Sequence, residues 1–195
     1  MSDSYPPQAI VIAGPNGAGK STAASALIPV GIDFVNADDI ARGLPARPGE
    51  SVEILAGRIM IERLEELQQQ RTDFAIETTL ASRSLVPRLI RLKNDGYRMT
   101  LMFLWMPDAE LCIQRVAERV RRGGHHIPEE TIRRRFKAGI KNFFELYRVI
   151  SDEWQLFDNT RIGRLSLIAE GSGESTVTVH QDKLWSTIQE GAKND

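Results

Sequence analysis

Apolar positions along the chain fall into short continuous runs, separated by longer stretches in which they recur at helical spacing. The runs at Ala9–Ala13, Asp33–Asn36, Phe74–Glu77, Met99–Trp105 and Trp154–Asp158 predict strands. Ser21 to Ile28 predicts a helix, and so do amphipathic stretches at about 50–71, 83–95, 108–122 and 129–150. Apolar runs without alternation are buried on both faces, and strands alternating with helices predict a parallel sheet covered on both sides. Near the end, "RLSLIAE" and "STVTVH" flank "GSGE", the pattern of a β-hairpin added to the sheet edge. A short helix, "KLWSTIQEGAK", follows. No internal repeat and no linker divides the chain, so residues 1–195 read as a single α/β domain.

The first predicted strand runs into "GPNGAGKST". Gly14, four residues, then Gly19-Lys20-Ser21 is the phosphate-binding loop pattern, and it stands between a strand and a helix as that motif requires. Glycines let the chain curl until its N–H groups converge on phosphate oxygens, and the positive end of the following helix adds to their pull. Gly14, Asn16, Gly17, Ala18, Gly19, Lys20, Ser21 and Thr22 form the candidate cradle for ATP. Lys20 would reach the outer phosphates, and the Ser21 hydroxyl would hold Mg²⁺.

Bulk chemistry narrows the class. Apolar residues make up 42% of the chain and charged ones 26%, an ordinary globular balance. The 25 lysines and arginines against 26 acids leave no basic field, so nucleic acid is not an expected partner. The polar, proline-broken start is no signal peptide, and no apolar run reaches membrane-spanning length, so the expected home is the cytoplasm. Cys112 is the one cysteine, which excludes a disulfide framework and reads as a core residue. Charge is uneven locally: from Arg115 to Arg135 there are seven arginines against three glutamates. "GGHHIPEE" interrupts that segment with a glycine pair and a helix-starting proline, the composition of a lid closing over phosphates or of a solvated basic face. His125 and His126 have no third ligand nearby in sequence, so they read as loop or phosphate contacts rather than metal ligands.

A phosphate loop does not name a reaction. The Leu-Ser-Gly-Gly-Gln signature of ABC-type ATPases is absent, as is the Asn-Lys-x-Asp motif of GTPases. Phosphoryl transfer to a hydroxyl needs positioning, a metal, cations and often a carboxylate to take a proton. "DFVNADDIA" places Asp38 and Asp39 just past the second strand, in the crevice where open parallel sheets bind ligands. Asp39 immediately precedes "IARGL" and reads as a helix cap, which leaves Asp38 as the general base. Glu77 ends the third strand in "FAIETTL", where it would orient an acceptor hydroxyl, with Thr78 and Thr79 adding hydrogen bonds. A structural cap for the next helix is the other reading of Glu77.

Together "GPNGAGKST", "FVNADDIA", "FAIETTL", "RVAERVRRGGHHIPEETIRRRF" and "WQLFDNT" resemble the zeta toxin family of P-loop kinases, in the family's order from residue 9 to about 160. The resemblance implies a P-loop NTPase fold similar to shikimate and adenylate kinases, a three-layer sandwich around a central parallel sheet. It implies phosphorylation of a sugar hydroxyl on a UDP-N-acetylhexosamine with ATP and Mg²⁺, and an antitoxin protein as a candidate partner. By position it makes Lys20 and Ser21 the loop residues and Asp38 the base, with Glu77 and Thr79 on substrate and Arg119 on the phosphates. The chain departs from the pattern at Asn36, where toxins carry the first Asp of an Asp-x-Asp pair, and at His125, where they carry an arginine. Arg134 or Arg135 would supply that charge from the next helix. Asn159 and Thr160 fall near the family's adenine pocket, with a plain turn as the other reading. Two rival functions stay open: an ATP-controlled regulatory protein, and a nucleic-acid 5′-kinase using the arginine segment as a phosphate track.

Overall fold

The computed structural model describes residues 5–45, 51–161 and 163–194. Its strands are β1 (Gln8–Ala13), β2 (Asp33–Val35), β3 (Phe74–Thr78), β4 (Arg98–Trp105), β5 (Glu153–Arg161), β6 (Arg164–Ser172) and β7 (Ser175–Val179). The helices are α1 (Lys20–Leu27), α2 (Ala37–Gly43), α3 (Val52–Gln70), α4 (Val86–Asn94), α5 (Ala109–Arg121), α6 (Glu129–Asn142), α7 (Arg148–Ile150) and α8 (Asp182–Asn194). A π turn, Phe143–Tyr147, joins α6 to α7, so the predicted 129–150 helix is real but underwound in the middle. The 50–71 expectation corresponds to α3; residue 50 itself lies outside the described residues.

One sheet runs in the order β2-β3-β1-β4-β5-β6-β7. β2 through β5 pair in parallel around β1, while β6 and β7 pair antiparallel, so the expected hairpin does extend the edge. The apolar runs explain the parallel part. Ile10, Val11, Ile12 and Ala13 are all buried, because helices cover both faces of β1. Val11, Phe74, Ile76 and Phe103 face a core shared with α3, α4 and α8, and Ile10, Ile12 and Leu104 face one shared with α1 and α5. Trp154 of β5 stacks on Trp185 of α8 at 5.8 Å, tying the C-terminal helix to the sheet.

Because β1 has β3 on one side and β4 on the other, the chain leaves it in one direction and later crosses to the opposite flank. The loop after β1 therefore sits at the topological switch, where the carboxyl ends of the strands open a crevice.

Candidate active site

The loop Gly14–Gly19 has the shape that its sequence predicts. Gly14 has φ 141° and Gly17 φ 83°, and a Cβ at either would come within 2.5 Å of a backbone oxygen, that of Leu104 or of Cys112. Only glycine fits at these two positions, since positive φ and close backbone approach coincide. Ala18 is fully buried and its N–H bonds to the Pro15 carbonyl at 3.1 Å, closing the loop. Ser21 and Thr22, at the start of α1, stay exposed at the mouth of the curl. Cys112 is buried against the loop, and burial pushes its thiol up to about 12, so it is packing and not a nucleophile.

Lys20 is 5% exposed. Its ammonium donates to the Pro15 carbonyl at 3.0 Å and stands 3.6 Å from Glu77 Oε1. Burial lowers its pKa from the ordinary lysine value, while the charges of Glu77 and Asp38 act in the opposite sense. The lysine is thus held at the loop by the Pro15 carbonyl and Glu77 and is short of solvent.

Glu77 comes in from β3, the strand beside β1, and meets the loop. Its Oε2 accepts from Ser21 Oγ at 2.7 Å and from Asn36 Nδ2 at 2.9 Å. The expectation that Glu77 caps the following helix does not hold. Leu85 precedes α4 without a side-chain cap, and the β3–α4 loop is braced instead by Asn142 Nδ2 on the Leu80 carbonyl at 2.7 Å. Thr79 lines the same cleft as Glu77.

The β2–α2 turn differs from the sequence expectation in one respect. Asn36, not Asp39, is the cap: its Oδ1 accepts from the Asp38 N–H at 2.8 Å, and the helix begins at Ala37. Asp38 and Asp39 both lie in the first turn, where negative charge suits the helix dipole. Asp39 points away and pairs with Arg42. Asp38 is exposed and lines the same cleft as Lys20 and Glu77. That cleft, about 300 Å³, extends from the loop between α3 and the β3–α4 segment, with Met60 and Leu64 on one wall and Ser82 and Ser84 on the other.

The arginine-rich segment divides by role. Arg135 reaches the loop, its guanidinium donating to Asn16 Oδ1 at 3.3 Å, and lines the cleft. Arg119 does not reach it in this state; the side chain is exposed and donates to the His125 carbonyl at 3.1 Å. Arg133 grips Glu110 of α5. Arg115 turns inward and donates to the carbonyls of Asn159 and Thr160 at 2.9 and 2.7 Å. Asn159 itself lies inside β5, which runs to Arg161, and its amide donates to the Ala18 carbonyl at 2.6 Å. The residue expected as an adenine contact thus braces the phosphate loop from behind, and Thr160 bonds to Asp158. Sequence reading missed two of these supports. Arg115 carries no signal beyond its place in an arginine run, whereas Asn36 directly before two acids is a recognisable cap pattern.

The site fits a nucleotide and its metal by its donors. Mg²⁺ takes oxygen ligands, and Ser21 and Glu77 place a hydroxyl and a carboxylate together beside the loop. Among the described residues no group of three or more His, Cys, Asp or Glu could hold a metal. No helix among them is long and apolar enough to cross a membrane.

A family model described as an AAA domain matches residues 10–145. A Haemophilus influenzae protein without an assigned function is 30% identical over 129 residues, covering 66% of this chain and 92% of its own. Among solved structures, an AvrRxo1-ORF1:-ORF2 complex determined with ATP superposes at a TM-score of 0.72 and 18% identity, over 95% of this chain. The chain spans only 64% of that protein's length. A chain of the PezAT chromosomal toxin–antitoxin system of Streptococcus pneumoniae matches at 0.62 and 18% identity, over all of this chain and 87% of that one. At such identity these likenesses show the fold alone, an α/β fold with a mostly parallel sheet shared with these proteins.

Proposed function

The chain belongs to the AAA-domain family whose model covers residues 10–145, and on that premise we infer that it is an ATP-dependent phosphotransferase acting on a hydroxyl of a small molecule. The observation that carries this reading is the shared cleft: Lys20 from the loop and Asp38 from the β2–α2 turn line the same space of about 300 Å³. A triphosphate held by the loop would present its outer phosphate beside Lys20, and an acceptor in the cleft would lie between that phosphate and Asp38. Asp38 would then take the hydroxyl proton as the new P–O bond forms and the bond from the γ-phosphorus to the β–γ bridging oxygen breaks, releasing ADP. Lys20 and Arg135 face the transferring group with positive charge. Ser21 would hold Mg²⁺, which when bound would neutralise charge on the phosphates. A purely regulatory ATP-binding protein has no need of a carboxylate in an acceptor-sized cleft.

The acceptor end favours an anionic alcohol. Arg88, held by Glu65 at 2.9 Å, lines the far part of the cleft and offers a cation to a group such as the diphosphate of a nucleotide sugar. UDP-N-acetylglucosamine is the first acceptor to test, on the strength of the resemblance to the zeta toxin family alone. The likeness to the PezAT and AvrRxo1 complexes supports a protein partner of antitoxin type as well. The deciding experiment is a mass-shift screen of nucleotide sugars and small alcohols incubated with the protein and ATP. A product heavier by one phosphoryl group supports the reading, and ADP release that no acceptor accelerates overturns it.

Residues 119–135 act as a lid in this reading. Among the described residues the Arg119 guanidinium bonds to the carbonyl of His125 within the same segment, so a nucleotide can recruit it without breaking the core. Backbone amides across 119–135 are expected to become protected from hydrogen exchange when ATP binds. Equal protection with and without ATP would argue against a lid.

A further inference from the structure

Helix α6 reaches both halves of the cleft with one face. Arg135, Gly139 and Asn142 stand four and then three residues apart, the spacing that aligns side chains along a single side of a helix. Arg135 meets Asn16 of the phosphate loop. The other two meet the β3–α4 loop, whose Thr79, Ser82 and Ser84 line the cleft. We propose that Asn142 and Tyr147 are positioning residues for this acceptor wall, and that α6 tightens the wall when a nucleotide engages Arg135. The proposal rests on the reading of the cleft as the acceptor site.

The β3–α4 loop has little of its own to hold it. The Leu80 and Ala81 N–H groups bond to the hydroxyls of Thr78 and Thr79 at 3.1 and 3.4 Å, and the Ser84 N–H bonds to Ser82 Oγ at 3.1 Å. Leu80 is buried with φ 55°, a left-handed conformation that a bulky side chain keeps only where its surroundings impose it. Those surroundings include α6. A Cβ at Gly139 would fall 2.6 Å from the Thr79 carbonyl oxygen, so glycine lets the helix backbone close directly on the loop. Asn142 is buried and donates from Nδ2 to the Leu80 carbonyl at 2.7 Å. Tyr147 donates its hydroxyl to the Ser82 carbonyl. Burial pushes that phenol up to about 12, so the donor keeps its proton at neutral pH.

The π turn is what lets both side chains reach the loop. In a regular α-helix a residue five positions on is rotated by about 140°, which would turn Tyr147 away from the side that Asn142 occupies. Here the helix closes over five residues, with the Arg148 N–H on the Phe143 carbonyl, and Tyr147 comes back toward the wall.

The link to the nucleotide is electrostatic. Arg135 donates to the neutral Asn16 amide at 3.3 Å, a long bond that holds α6 lightly in the free protein. A triphosphate in the loop offers that guanidinium a charged partner, and the stronger bond forms only while α6 is seated. A ligand with that preference shifts the helix toward its seated position. Gly139, Asn142 and Tyr147 then carry the seating to the wall they touch.

The test is hydrogen exchange at the Ala81–Ser84 amides, with and without saturating ATP and Mg²⁺. Wild-type protein is expected to exchange there about fivefold or more slowly with ATP. Arg135→Ala should lose that response while ATP still protects residues 17–22. Tyr147→Phe keeps the packing and removes one bond, so the same amides should exchange faster in the free protein and respond less to ATP. Asn142→Ala should do both more strongly, and Tyr147→Phe carries the test if that variant does not fold. No response at 81–84 in wild type, with 17–22 protected, overturns the proposal. So does a full response in Arg135→Ala, or wild-type exchange in Tyr147→Phe. Absence of protection at 17–22 as well means that ATP does not bind, and the kinase reading falls together with this one. An intact response with no phosphorylated acceptor sinks the kinase reading while the coupling through α6 stands.

Discussion

Lys20→Ala is expected to lower phosphoryl transfer by about a thousandfold or more while leaving the fold in place. The loss follows from geometry. Lys20 is the cation at the heart of the loop, held by the Pro15 carbonyl and facing Glu77 in a site nearly closed to water. There a positive charge is worth far more to a transferring phosphoryl group than it would be in bulk solvent. The fold should survive because burial already works against the charged lysine, so removing it relieves a desolvation cost as well as breaking one hydrogen bond worth about 1 kcal/mol. Glu77, left behind, keeps Ser21 and Asn36 as donors. The check pairs product formation with a thermal melt of the same preparation. A folded variant that turns over at the wild-type rate would remove Lys20 from the chemistry.

Much of this architecture was legible because its signals are local. The run Ala9–Ala13 is apolar at every position because both faces of β1 are covered, and the loop after it needs glycine at Gly14 and Gly17 for reasons of backbone space. The seam between α6 and α7 was not legible, since a π turn leaves the apolar spacing of "KNFFELY" close to helical. The site was harder where a residue's role depends on which neighbour the fold supplies. Glu77 ends its strand as read, but only the parallel pairing of β3 with β1 brings its carboxylate to Ser21. Asn159 looked like a loop residue because "DNT" is turn-like, while pairing with β6 carries the strand through it. Seven arginines close together in sequence gave no hint that Arg115 faces inward, Arg133 holds α5 and Arg135 alone of these three meets the loop. Helical phase and long-range partners decide those roles, and neither is visible in an arginine count.

Asp38→Asn is expected to reduce acceptor phosphorylation by about a hundredfold or more, with ATP affinity close to normal. The two halves of that statement have separate grounds. Asp38 lies in the first turn of α2, exposed to the cleft and outside the curl of the loop, so the triphosphate does not depend on its side chain. Its charge acts on Lys20 and both side chains line one cleft, so in the kinase reading the acceptor would lie between Asp38 and the transferring phosphate. Asparagine keeps the size and part of the hydrogen bonding but lacks the basic oxygen, so the acceptor proton has no place to go as the bond forms. The turn itself should hold, because the cap bond runs from the Asp38 backbone N–H to Asn36 and is untouched by the change. Asp39→Asn is the matched control. It removes the same charge from the same helix turn but breaks only an exposed pairing with Arg42, so its cost is helix-start stability of about 0.3–1 kcal/mol and little activity. Rates for both variants with the acceptor found by the mass-shift screen, beside calorimetric ATP affinities, decide the matter. If Asp38→Asn phosphorylates that acceptor as fast as Asp39→Asn does, the proton leaves by another route and Asp38 is only part of the helix start.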